Sequence, residues 1–299
     1  MRRRTLVRGA AVFGAAVALT AGTALPAAAH GSHGSPGSHG SRDYVALGDS
    51  YTSGPAIPVQ VDANCARSSS NYPSLVTARL RRTTLTDVSC AGATTTQMWQ
   101  AQGTNPPQLD AVTKGTDLVS LQIGGNDIGF GTIIGTCAYV AAGAPTGSPC
   151  RAYYNATGTD RLEAAIAETV PKIAAVLADI HKRAPRADVV VVGYPDLLPD
   201  SGVGCRPAVP FADGDFAYLR DTEKKLNTML AQQARAAHAT YVDTYTPTIG
   251  HDMCTDPGVR WIEPLTPASP AAPAHPNALG EQAMAAAVLD RLLCVRQAG

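Results

Sequence analysis

The chain has 299 residues, 24 Lys and Arg against 24 Asp and Glu, 45% apolar residues and seven cysteines. That length suits one large domain or two small ones, and the apolar share is enough for a sizeable core. The charge balance excludes the basic footprint of a nucleic-acid binder, and beyond the N-terminus no apolar run is long enough to span a bilayer.

In chain order, the first element is a targeting segment. Arg2-Arg3-Arg4, an apolar run over 10–25 and Ala27-Ala28-Ala29 are the positive region, hydrophobic region and cleavage site of a secretory signal peptide over 1–29. The arginines also suit a twin-arginine route, and the motif is too loose to choose. Loss of Arg2, Arg3, Arg4 and Arg8 takes the 24 basic residues to 20 against 24 acidic, a formal charge of −4. Residues 30–42 begin HGSHGSPGSHGS and read as a flexible Gly/Ser/His linker. His30, His33 and His39 are of the type that ligates metals, but the composition favours a plain tether. Residues 43–299 are left for the folded domain.

From residue 43, strands and helices alternate. A strand is predicted over 44–47. A helix over 73–80 follows, with Pro73 in its first turn and Asn71 or Tyr72 at its start. Strands come next at 85–88 and at 118–123, the latter reading LVSLQI. The spacing of Leu162, Ile166, Val170, Ile173, Leu177 and Ile180 predicts a helix over 161–183, which Pro171 should kink or split. Four valines at 189–192 read as a strand buried on both faces. A helix over 213–238, a strand over 240–242 and a helix over 276–294, opened by Pro276, complete the order. Repeated strand–helix units predict an α/β fold with a parallel sheet covered on both sides. Stretches 130–159, 194–213 and 246–273 lack clear periodicity and read as long functional excursions.

Three strand exits and one helix start carry candidate chemistry. Ser50, after Gly48-Asp49, ends the first strand at the carboxyl edge of the sheet, where open α/β sheets bind ligands. It is a candidate nucleophile, and an N-cap is its competing role. Gly92 follows the second strand and offers a backbone N–H. Asn126, in Gly124-Gly125-Asn126-Asp127, can aim an amide at a developing oxyanion. His275 precedes the last helix and is a candidate base, with His251 a weaker rival. Asp49 and Asp127 read as turn-holding or capping residues.

The cysteines suit an oxidising compartment. Spacing alone leaves the pairing of Cys65, Cys90, Cys137, Cys150, Cys205 and Cys254 open, neighbour pairing being the simplest choice, and Cys294 is expected to be free and buried. A loop as short as that from Cys137 to Cys150 would contribute roughly 3 kcal/mol in the chain-entropy model.

Gly48-Asp49-Ser50, Gly92, Gly125-Asn126-Asp127 and the late His275 together resemble the four blocks of the SGNH (GDSL-type) hydrolase superfamily. The cysteine spacing and Trp261-Ile262-Glu263-Pro264-Leu265 are similar to its secreted bacterial lipases and esterases. The resemblance runs from Asp43 to about Arg296. It implies a flavodoxin-like three-layer α/β/α sandwich with a central parallel sheet of about five strands, and ester hydrolysis; with no phosphate-binding glycine loop and no metal-ligand spacing in the sequence, no cofactor is expected. It implies that Ser50 attacks the ester and His275 is the base. The N–H groups of Ser50 and Gly92 and the amide of Asn126 would form the oxyanion hole. It also implies the neighbour pairing of the six cysteines.

One position departs from that pattern. Most of the superfamily has an Asp three residues before the histidine, and here that position is Ala272. A backbone carbonyl of Ala272 or Pro273 is therefore expected to hold the imidazole, with Glu263 or Asp252 as the alternative acid. Ile128, Phe130, Ile133 and Ile134, with Met98, Trp99 and Tyr139, are candidates for an apolar acyl groove, ordinary core being their competing role. The expected protein is a secreted, monomeric enzyme acting on a small-molecule or lipid ester, with medium- to long-chain esters or acylglycerols favoured. A carbohydrate acetylesterase, a phospholipase, a serine peptidase and a non-catalytic secreted binding protein are the alternatives.

Overall fold

The computed structural model describes residues 41–298. The predicted signal peptide and most of the linker lie outside the described residues. Five parallel strands form the main sheet: β1 (Arg42–Gly48), β4 (Thr83–Asp87), β5 (Leu118–Gln122), β6 (Asp188–Val192) and β7 (Thr240–Val242), in the order β4-β1-β5-β6-β7. Two short antiparallel strands, β2 (Gln60–Asp62) and β3 (Arg67–Ser68), form a separate hairpin. The helices are α1 (Ser50–Ser53), α2 (Tyr72–Arg79), α3 (Phe130–Ala141), α4 (Pro149–Tyr154), α5 (Arg161–Arg183), α6 (Asp215–Ala236) and α7 (Ala278–Ala298).

Alternation along the strands sorts the core into two layers. Val45, Leu47, Val119, Leu121, Val189 and Val191 face one side with Ile173, Leu177 and Ile180 of α5 and Leu226 and Leu230 of α6. Tyr44, Ala46, Leu118, Val190, Val192 and Val242 face the other with Val76 of α2 and Met284 and Val288 of α7. The result is the three-layer α/β/α sandwich with a flavodoxin-like strand order. In such sheets the chain reverses direction between the first strand and its later neighbour, opening a crevice at their carboxyl ends. Here those strands are β1 and β5, whose exits carry Ser50 and Asn126.

Some elements differ from the sequence expectation. Residues 130–159, expected to be irregular, contain α3 and α4. Four glycines between 131 and 147 obscure the helical pattern. A distant residue supplies the missing cap: the buried Asp215 carboxylate of α6 accepts from the N–H groups of Cys150 and Arg151, both at 2.9 Å. Helix α5 continues through Pro171. Pro171 and Ala167, whose carbonyl loses its partner, are both exposed, so the lost bond falls on the solvent side of the helix. Pro276 does not open α7. It bridges to Ile262, while the Asn277 carboxamide oxygen accepts from the N–H groups of Leu279 and Gly280 at 2.9 and 3.2 Å, the pattern of an N-cap.

Cys65–Cys90, Cys137–Cys150 and Cys205–Cys254 are disulfides. Cys294 is free, but it is exposed rather than buried. It lies late in α7 and lines a surface groove with Tyr241, Val242 and Asp290. Among the described residues no helix is long and apolar enough to cross a membrane.

Candidate active site

Strand β1 ends at Gly48, whose backbone N–H and carbonyl are bridged by one side chain. Gln108 accepts from the Gly48 N–H at 2.8 Å and donates to the Gly48 carbonyl at 2.9 Å. The chain then turns sharply. A Cβ at Gly48 would lie 2.7 Å from Thr52 Cβ and 2.8 Å from the Gln122 carbonyl oxygen, so only glycine fits. Asp49 caps the short α1 by accepting from Tyr51 N–H at 2.9 Å. Ser50 is thereby set at a helix start on the sheet edge, 8% exposed.

His275 reaches Ser50 from the far end of the chain. Its Nε2 stands 2.7 Å from Ser50 Oγ, and its Nδ1 lies 2.8 Å from the Pro273 carbonyl oxygen. A carbonyl only accepts, so Nδ1 carries the proton and Nε2 presents its lone pair to the serine hydroxyl. Burial pushes the imidazole pKa below its ordinary 6.5, partly opposed by the bond to Pro273. The ring is stacked on Tyr51 at 4.8 Å and meets the edge of Phe130 at 5.9 Å. Ala274, just before it, has φ +59°, a left-handed conformation that costs a non-glycine residue about 1–3 kcal/mol. Its carbonyl accepts from Tyr51 Oη at 2.6 Å, and its N–H donates to the Glu263 carbonyl at 3.0 Å.

The two alternative acids lie elsewhere. Glu263 is fully buried and accepts from Asn277 Nδ2 at 2.8 Å, Ala268 N–H at 2.8 Å and Ser269 N–H at 3.3 Å. These donors outweigh its burial and hold its carboxyl below the usual range. It shapes the loop that carries His275. Asp252 accepts from Cys254 N–H at 2.7 Å. His251 is stacked on Trp261 at 3.5 Å, with Nδ1 against the Val259 carbonyl.

The candidate oxyanion donors sit on adjoining turns. Among the described residues the N–H groups of Ser50 and Gly92 donate to no protein acceptor. Asn126 Nδ2 donates to the Ala93 carbonyl at 2.9 Å, which leaves its second hydrogen free. Asp127 does not cap α3. It accepts from Thr95 N–H at 2.9 Å and Thr95 Oγ1 at 2.5 Å. These bonds tie the turn containing Gly92 to the one containing Asn126.

A cavity opens beside Ser50 and Asn126. Ile128, Phe130, Ile133 and Ile134 line it, as their sequence position predicts, together with Leu197, Leu198, Met253 and, from α6, Leu219 and Leu226. Three expected lining residues are absent from it. Met98 is packed in the core, Trp99 lies in a separate groove with Lys172, and Tyr139 points into solvent at 81% exposure.

Sequence reasoning missed Tyr194. It follows β6, and its hydroxyl accepts from Gly125 N–H at 2.8 Å and donates to Asp49 Oδ2 at 2.6 Å. Burial pushes the Asp49 carboxyl up to about 7 despite the donors from Tyr194 and Tyr51. The available signal was positional: Tyr194 leaves the same sheet edge as Ser50 and Asn126.

A doubly covered parallel sheet with a serine hydroxyl and an imidazole in contact at its switch point has the parts needed for nucleophilic catalysis. The comparisons with known proteins specify the class. The GDSL-like Lipase/Acylhydrolase family matches residues 46–283. The chain is 42% identical to Lipase 2 of Streptomyces coelicolor over 258 residues, covering 84% of this chain and 85% of that protein. It is 31% identical to the crystal structure of an extracellular lipase from Streptomyces rimosus, with a TM-score of 0.67 and coverage of 85% and 99% of the two chains. Phospholipase A1 from Streptomyces albidoflavus NA297 is similar at 27% identity and a TM-score of 0.68, with the same coverage. The chain belongs to the GDSL-like Lipase/Acylhydrolase family and is a carboxylic ester hydrolase.

Proposed function

We propose that this protein is a secreted, monomeric lipase or esterase that cleaves medium- to long-chain carboxylic esters through an acyl-enzyme on Ser50. The observation that carries this reading is the 2.7 Å contact between Ser50 Oγ and His275 Nε2 at the mouth of an apolar cavity. His275 takes the serine proton as Oγ attacks the ester carbonyl, then gives it to the leaving alcohol. The N–H groups of Ser50 and Gly92 and the Asn126 amide hold the oxyanion. A water deprotonated by His275 then releases the acid. Pro273 selects the imidazole tautomer in place of the carboxylate of a Ser-His-Asp triad.

Three disulfides, the Arg-led apolar N-terminal run and the extracellular lipase relative support secretion. No nucleic-acid partner is proposed, given the net negative mature chain. The apolar lining favours long acyl groups over acetylated carbohydrate. A phospholipid ester is the second reading, favoured by the similarity to phospholipase A1.

A fluorophosphonate probe tests the assignment. It should label the wild-type protein and not Ser50→Ala. Equal labelling of both would remove Ser50 from the mechanism, and no labelling of folded wild type would favour a binding protein.

A further inference from the structure

We propose that Tyr194 is a positioning residue for ester hydrolysis: its hydroxyl sets the spacing between the turn carrying Asn126 and the turn carrying Ser50. The proposal rests on the roles given above to Ser50 and Asn126.

The two turns leave adjacent strands, β5 and β1. Their last shared backbone bond is from Asp49 N–H to the Gln122 carbonyl at 3.1 Å. Beyond it, Tyr194, which follows β6 on the far side of β5, bonds to both turns. Its hydroxyl accepts from Gly125 N–H and donates to Asp49 Oδ2, while Asp49 Oδ1 accepts from Tyr51 N–H. The direction of this relay is fixed. Gly125 N–H only donates, so the tyrosine proton lies toward the carboxylate.

Tyr194 is itself held firmly. It is 3% exposed. Asn227 of α6 accepts from its N–H at 2.8 Å and donates to its carbonyl at 2.9 Å. Its ring meets the Tyr51 ring edge-on at 5.1 Å. A Cβ on Gly125 would approach the hydroxyl to 3.0 Å, so the turn and the tyrosine fit closely. The hydroxyl proton is already committed to Asp49, so Tyr194 acts through Asn126 and not on the oxyanion itself. Burial holds its pKa well above the usual tyrosine value, so the phenol keeps its proton at neutral pH.

The experiment is a double-mutant cycle with Tyr194→Phe and Asn126→Ala, read as kcat and KM on p-nitrophenyl butyrate. Each variant is melted, and all are assayed below the lowest transition. Displacing a catalytic group by about 1 Å costs on the order of 100-fold. Tyr194→Phe should therefore lower kcat by about 10- to 100-fold and leave KM within about 2-fold. On the Asn126→Ala background the same change should cost less than about 3-fold, because the donor it positions is gone. An undiminished kcat in Tyr194→Phe, or losses that multiply in full, would overturn the proposal. Should Tyr194→Phe not fold, Asp49→Asn removes one acceptor oxygen from the same relay and is judged by the same cycle. Ser50→Ala separates the two levels. Retained activity there defeats the underlying reading; an inactive Ser50→Ala beside a fully active Tyr194→Phe defeats only the positioning role.

Discussion

Tyr51 Oη donates to the Ala274 carbonyl at 2.6 Å, joining the residue after the candidate nucleophile to the residue before the candidate base. The same ring lies against His275. Tyr51 thus holds the imidazole by stacking and its backbone by a buried hydrogen bond. Tyr51→Phe keeps the stacking and frees the carbonyl of a left-handed alanine. Loss of a buried hydrogen bond costs about 1–3 kcal/mol, so the melting temperature should fall. Turnover on p-nitrophenyl butyrate should fall by about 3- to 30-fold if that energy is expressed in imidazole placement. Unchanged stability and turnover would show that the bond holds nothing.

Glu263→Gln separates a carbonyl-oriented histidine from a carboxylate-oriented one. Glu263 bonds to Asn277, Ala268 and Ser269 and contacts His275 only through the backbone. The variant should melt earlier, by the equivalent of about 1–3 kcal/mol, and keep kcat within about 5-fold. Abolished turnover in a variant that still folds would identify Glu263 as the missing acid.

The pH profile carries the same question. Catalysis needs His275 neutral, and burial lowers its pKa. Protonation therefore stops the enzyme only at acidic pH, and the acid limb of kcat/KM should have its midpoint below 6.5. A neighbouring carboxylate would stabilise imidazolium and raise the midpoint instead. A midpoint above 6.5 would argue for such an acid.

The cavity wall makes a prediction about substrate length. Leu219 of α6 lines the cavity and is 7% exposed. Leu219→Trp should fill that space. On p-nitrophenyl esters from two to sixteen carbons, kcat/KM for long chains should fall by at least about 10-fold, a change of 1.4 kcal/mol, with acetate little affected. An equal loss at every length would place the acyl chain elsewhere.

The sheet was legible in the sequence because its strands are short apolar runs with polar or glycine exits. The strand over 240–242 appears with the bounds its pattern predicts. Elements that depend on distant partners were not legible. Helix α4 takes its cap from Asp215, 65 residues from Cys150. The start of α7 was misplaced because Pro276 looks like a first-turn proline, whereas backbone bonds from Glu263 and Asn277 hold the loop before it. Ser50, Gly92, Asn126 and His275 stand out as candidates by residue type at strand exits and before the last helix. Tyr194 was not, since an isolated tyrosine after glycine has no local signature. The candidate acyl groove was half legible: the isoleucines after Asn126 line the cavity, but its other wall comes from α6 and Met253, far away in sequence.

The separation between Ser50 and His275 affects biosynthesis. A ribosome that has made the first 270 of these 299 residues holds a polypeptide with Ser50 but without His275. Only after the closing helix emerges and settles on the sheet does the pair meet. The proposed pair therefore forms only after the segment that bears His275 has been made.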